Sequence, residues 1–101
     1  MENDRPEGYE WDDEKAAENL EKHRIAFTEA VGIFRGIVYT EVDDRFDYGE
    51  TRETSIGYLR GVVALTVAHT DRDGRKRIIT ARKATPTERR LLDDHIERTF
   101  G

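Results

Sequence analysis

Residues 69–90 read HTDRDGRKRIITARKATPTERR, and the whole carboxyl half can be read outward from them. Asp73-Gly74 lies between two β-rich runs, a strong short-range hairpin signal because a type I′ two-residue turn needs positive φ at both central positions. The preceding run, VVALTVAHT, is apolar almost throughout and reads as a central strand. If the turn closes at Asp73-Gly74, His69 falls opposite the Arg77–Ile78 region. On an unbroken return strand, Ile78, Thr80 and Arg82 share one face, while Arg77, Ile79, Ala81 and Lys83 share the other. Arg77 and Arg82 would then point to opposite sides of the sheet. Thr85-Pro86-Thr87-Glu88 has the form of a capping box with proline at the first helical position, and Leu91, Leu92 and Ile96 give the helix it starts an apolar face.

Upstream, Asp12 can cap a helix over 12–23. Its acidic residues come early and Lys22 and His23 late, as the helix dipole favours, and Ala16, Ala17, Leu20 and the stem of His23 recur at helical spacing. Ile25, Phe27, Ala30, Val31 and Phe34 predict a short second helix ending near Gly36. IVYTEV reads as a strand, DDRFDYGE as a polar acidic loop, and residues 52–59 as a further strand turning at Arg60-Gly61. Tyr9 to Trp11 could begin a short strand, with Trp11 as a core anchor. The expected fold class is α+β: two N-terminal helices, a four-stranded mainly antiparallel sheet and a C-terminal helix. Residues 1–8 are expected to form a mobile tail and 9–101 a single domain.

A chain of 101 residues supports one modest core. Charged residues make up 39% of it and hydrophobic ones 36%, but the apolar residues cluster, which favours a folded domain over disorder. The absence of cysteine excludes disulfides, thiolate metal sites and a cysteine nucleophile. The polar, acidic N-terminus has no signal-peptide character and no run approaches membrane-spanning length, so a cytoplasmic location without membrane contact is expected. Net charge is −5, whereas residues 72–90 hold eight arginines and lysines against Asp73 and Glu88, a local +6. A positive strip on an acidic protein is the electrostatic footprint of phosphate recognition.

Chemistry can reside in two places. A phosphoryl site needs guanidinium forks for the non-bridging oxygens and a group that titrates near neutrality, and the hairpin supplies both types in its arginines and His69. The plainer reading is a charged hairpin that solvates a sheet edge. Lys15, Asn19, Lys22 and His23 recur every three or four residues, forming one polar stripe that could line a nucleotide or simply face solvent. His23, His69 and His95 lie far apart in sequence without ligand spacing, so no metal and no cofactor is expected. A helix carrying Glu14, Glu18 and Glu21 suits DNA poorly.

Taken together, W-D-x-x-K-x-x-x-N-x-x-K-H from Trp11, E-x-R with I-G in the middle, and H-T-x-R, I-I-T-A-R-K-A and E-R-R at the end resemble the BrnT family of bacterial type II toxins. The resemblance runs from Tyr9 to about Leu92. Arg24 departs from the pattern, standing where the family usually has glycine, and so does Ala26, where a serine often caps the second helix. The resemblance implies a RelE-like fold and a metal-independent endoribonuclease that arrests translation. A BrnA-type ribbon-helix-helix antitoxin would neutralise it, with DNA reached only through that partner. On this reading His69 transfers protons and Arg77 and Arg82 neutralise phosphate charge, one of the two arginines being structural. Arg72, Lys83, Lys15, Asn19, Lys22 and His23 would hold RNA. The competing expectation is a non-catalytic basic module that grips RNA or an acidic protein.

Overall fold

The hairpin at Asp73-Gly74 forms the middle of a five-stranded sheet in the computed structural model, which describes residues 5–45 and 49–101. Asp73 and Gly74 have φ of 53° and 78°, as a primed turn requires. Strands β4 (Val63–Arg72) and β5 (Arg75–Lys83) pair antiparallel across it, with His69 opposite Ile78. Strand β3 (Arg52–Leu59) pairs with β4, and β2 (Val38–Asp43) with β3. The expected four-stranded sheet gains a member: β1 (Tyr9–Trp11) runs parallel to β5 along residues 76–78, giving the order β1-β5-β4-β3-β2. Three residues paired in parallel leave no hairpin signal, which is why the sequence offers a short strand at Tyr9–Trp11 but no partner for it.

Strand β5 carries one residue more than its partner. Thr70 faces Arg77 and Ala68 faces Thr80, so Ile79 is an inserted residue, a β-bulge. The insertion reverses the alternation beyond it. Ile78 and Ala81 lie in one apolar cluster, with Lys83 in register with buried Leu65 on that side. Arg77, Thr80 and Arg82 stand opposite Thr70, Ala68 and Thr66 on the other side. The expectation that Arg77 and Arg82 diverge is thereby corrected: the bulge puts both on one face.

One face of the sheet is covered by α1 (Asp13–His23), α2 (Phe27–Ala30) and a 3₁₀ turn (Val31–Arg35). Trp11, Phe27, Ala30, Ile33, Leu65, Val67, Ile78 and Ala81 form the main core there, with Phe27 edge-on to Trp11 at 5.7 Å. A side chain at Gly57 would meet Ile33 and Val38 at 2.9 Å, so this glycine lets the 3₁₀ turn lie directly on β3. The other face carries α3 (Pro86–Phe100), whose capping box is complete and whose Leu92 and Ile96 pack on Ile56, Ala64, Tyr39 and Tyr58. Helix α3 lies mainly over β2 and β3 and reaches β4 and β5 through its first turns, where Leu92 packs with Ala64 and Glu88 bonds Thr66 and Arg82; further along the same face Thr80 of β5 is exposed.

Helix α1 is rotated from the expected apolar set. Leu20 is about half exposed, while the stripe turned inward runs Ala16, Asn19, His23. Asn19 is buried because its amide does a strand's work. Its nitrogen donates to the carbonyls of Ala81 (2.9 Å) and Ile25 (3.0 Å), and its oxygen accepts from the Ala81 N–H (3.0 Å). Strand β1 has already ended there, and these bonds satisfy the otherwise open edge of β5. Arg24 closes α1 with φ of 61°, the left-handed conformation that favours glycine. Ala26 precedes α2 with no side-chain cap, consistent with a helix of only one turn.

The tail expected over 1–8 falls partly outside the described residues. Its second half is docked: Arg5 lies over the Trp11 ring at 5.0 Å and pairs with Asp13, and the Gly8 carbonyl accepts from the Lys76 N–H at 2.8 Å. The polar loop expected over 43–50 includes residues 46–48, which also lie outside the described residues. No helix among the described residues is long and apolar enough to cross a membrane.

Replacing Asn19 with alanine leaves three buried backbone groups short of a partner, and the expected loss is about 3 kcal/mol in urea denaturation. Arg24→Gly relieves the left-handed terminus and is expected to gain up to about 1 kcal/mol in the same measurement.

Candidate active face and the buried histidine

Arg77 and Arg82 stand on the same face of β5, opposite the buried Thr70 and Thr66. Along β5 they are separated by Ile78, the bulged Ile79, Thr80 and Ala81, and about 13 Å of strand divides them. Both guanidiniums are occupied. Arg77 donates to Glu10 at 3.2 Å, and Glu10 also lies 3.9 Å from Arg75. Arg82 grips Glu88 with two bonds, 2.7 and 2.8 Å. Thr66 and the Thr85 backbone N–H donate to the same carboxylate, 2.9 Å each. Those donors, led by Arg82, hold the Glu88 carboxyl down at about 2 against the opposing effect of burial. Thr80 is exposed between the two arginines, and Arg72, further toward the hairpin tip on the same side of β4, pairs with Glu50 at 3.1 Å.

At the outer edge of β5 the stripe read from α1 meets the sheet. Lys15, Glu18, Asn19, Lys22 and His23 line a groove of about 140 Å³ with Ile79 and Thr80. Lys15 and Lys22 are exposed and His23 half-buried, and none of the three forms an ion pair among the described residues. Asn19, by contrast, has both ends of its amide committed to backbone. It shapes the groove and offers nothing to a ligand. Thr80 belongs both to the groove and to the arginine face, so the two basic regions are continuous. Lys83 is exposed on the opposite side of β5.

His69 does not share this face. It lies on the side of α1 and the 3₁₀ turn with 1% exposure, edge-on to Phe34 at 5.3 Å. Its Nε2 is 2.7 Å from Ser55 Oγ, which is in turn 2.7 Å from Thr40 Oγ1. Its Nδ1 is buried without a hydrogen-bond partner, the nearest carboxylate oxygen being Glu53 Oε1 at 3.8 Å. Burial, with the Lys76 charge acting in the same direction and Asp71 against it, lowers the imidazole to about 4. The ring is therefore neutral at pH 7, and its approach to Glu53 is no ion pair. The expectation of an open proton-transfer imidazole beside the arginines loses its geometric basis. His69 sits one sheet-thickness away from them, sealed under Phe34.

Strand β5 and the groove thus bring together Arg77, Arg82, Arg72, Lys15, Lys22 and His23, and leave out His69 and Lys83. Sequence reasoning missed Glu10 and Glu88 as the carboxylates that hold the arginines, and it missed the bulge. The signal for the bulge was the adjacent pair Ile78-Ile79: the inward residues Ile78 and Ala81 are three apart, which no unbroken strand can accommodate.

The chain is a small α+β domain in which α1, α2 and the 3₁₀ turn cover one face of a mixed five-stranded sheet and α3 packs on the other, beside the basic residues of β5. The family profile described as "Ribonuclease toxin, BrnT, of type II toxin-antitoxin system" matches residues 11–88. The chain belongs to this BrnT family. Among solved structures, it is similar to the Brucella abortus ribonuclease toxin BrnT, with a TM-score of 0.51 and 20% identity over 74% of this chain and 92% of that one. At that identity the likeness speaks for the fold alone. No curated protein sequence matches.

The depressed Glu88 carboxyl makes stability acid-sensitive. Its unfolded value is near 4.5 and its folded one about 2, so its contribution is complete above 4.5 and is lost as pH falls through 2. Wild type is expected to lose up to about 3 kcal/mol more than Glu88→Gln between pH 6 and pH 2, measured as the difference between their urea midpoints.

Proposed function

We propose that the chain is the toxin of a type II pair, a metal-independent endoribonuclease that arrests translation and is neutralised by a BrnA-type ribbon-helix-helix antitoxin. The observation that carries this reading is the bulge at Ile79. It sets Arg77, Thr80 and Arg82 on one face of β5, continuous with Lys15, Lys22 and His23. An RNA strand laid across this surface meets two arginines whose backbone positions are about 13 Å apart along β5. Cleavage uses the 2′-hydroxyl of the substrate as nucleophile on the adjacent phosphorus. The protein has then to position the strand, move a proton and stabilise charge on the non-bridging oxygens.

Arg77 serves the last role best: its single bond to Glu10 is at the long end of the range, so a phosphate oxygen can take its place. Arg82 is bound twice to Glu88 and orients the face from there. Proton transfer falls to a side chain with access to this surface, and of the three histidines His23 is the one that borders it. The acidic partners Glu10 and Glu88 also preview neutralisation, since an acidic segment of an antitoxin can bind the same guanidiniums.

Expressed alone, the chain is expected to arrest bacterial growth, and the purified protein to cut RNA in the presence of chelator while sparing the same sequence as DNA, which lacks the attacking hydroxyl. Arg77→Ala is expected to reduce cleavage about a hundredfold and His23→Ala to act in the same direction. Unchanged cleavage by both folded variants refutes the assigned face. RNA binding without cleavage by wild type leaves the basic binding module as the function.

A further inference from the structure

The buried histidine has a use that the arginine face does not explain. Ser55 Oγ lies between Thr40 Oγ1 and His69 Nε2, at 2.7 Å from each. If Nε2 carries the ring proton, it donates to Ser55, which donates to Thr40. In the other tautomer an Nδ1–H would be buried with no acceptor in range, since Glu53 Oε1 is 3.8 Å away. The first tautomer leaves a buried Nδ1 lone pair 3.8 Å from Glu53 Oε1.

Two carboxylates converge there. Glu53 is paired with His69 across β3 and β4, and Asp71 is two residues further along β4 on the same face. One ligand atom from each of Glu53, His69 and Asp71 lies within 4.8 Å of the others. A cation placed among these three atoms would be attracted by both carboxylates and by the imidazole lone pair. Lys76, opposite Asp71 in β5, supplies part of that charge, with its ammonium 3.6 Å from Asp71 and 5.0 Å from the centre of the Phe34 ring. At 3.6 Å it makes no hydrogen bond to Asp71, and it donates none to His69. The nearest cation thus leaves the Nδ1 lone pair unsatisfied.

We propose that Glu53, His69 and Asp71 form a binding site for a divalent transition-metal ion of the zinc class. One imidazole nitrogen and two carboxylate oxygens suit that class, with water completing a tetrahedron. A tetrahedral ion holds its ligand atoms about 3.4 Å apart, so small rotations of Glu53 and Asp71 close the present spacing. Asp71 is exposed and Glu53 partly so, and both can make that movement. The Ser55–Thr40 relay is the outer-shell support expected of a ligating histidine, whose second nitrogen is ordinarily anchored by a hydrogen bond. The ion would sit on the opposite side of the sheet from Arg77 and Arg82. It would clamp the start of β3 to the β4–β5 hairpin without taking part in RNA chemistry, and its presence or absence is independent of the ribonuclease reading.

The test is calorimetric titration of the chelator-treated full chain with zinc, together with cobalt absorption and thermal melts. One zinc per chain is expected, with visible cobalt bands of nitrogen–oxygen coordination. At free zinc about a hundred times Kd, Tm is expected to rise by about 10 °C. Glu53→Gln and Asp71→Asn, both at sites with solvent access, should fold and bind at least tenfold more weakly, whereas Lys76→Gln should bind severalfold more tightly by removing the competing ammonium. His23→Ala and His95→Ala should bind as wild type does. Absence of a Tm shift, undiminished binding by the two carboxylate variants, or unchanged affinity in Lys76→Gln would overturn the site.

Discussion

The inserted residue in β5 determines which chemistry appears on which side of the protein. Without Ile79 as an extra position, Ile78 and Ala81 could not both face the main core, and Arg77 and Arg82 could not both leave it. The strand therefore satisfies a packing requirement and a functional one by the same local irregularity. Bulges bend a strand and increase its twist, and this one falls where β1 stops and Asn19 takes over the edge. Backbone pairing at the edge thus passes from a strand to a side chain within three residues.

The acidic composition and the basic face are reconciled by how the carboxylates are used. Glu10, Glu50 and Glu88 each stand against an arginine of the basic stretch, so those charges are held in defined directions rather than left to repel one another. The more exposed pair of Glu50 with Arg72 adds little stability, unlike the part-buried Glu88 with its four donors. The value of the three pairs here is orientation. Lys15 and Lys22 are exposed, form no ion pair among the described residues and border the groove.

Much of the fold could be read from the sequence because its signals are local. The Asp73-Gly74 turn, the Thr85 capping box and the Asp12 cap each depend on a few consecutive residues, and each is where the pattern placed it. The failures are non-local. β1 pairs with a strand more than sixty residues away, and Asn19 looked like a surface polar residue because its acceptors, chiefly Ala81, are equally distant. His69 was expected in the open because its neighbours in sequence are charged. Its neighbours in space are Phe34 and Ser55, which only the β3–β4 register and the 3₁₀ turn bring to it. The cluster of Glu53, His69 and Asp71 was invisible for the same reason: no ligand spacing exists along the chain when one member arrives from the adjoining strand.

Glu88 belongs to three structures at once: it closes the capping box of α3, receives both arms of Arg82 from β5, and accepts from Thr66 on β4. A helix whose first turn is fastened in this way cannot fray independently. The amide protons at the start of α3 and at the end of β5 should therefore exchange with solvent as one cooperative unit. Fraying is left to the far end of the helix, beyond Ile96, where Phe100 lies exposed.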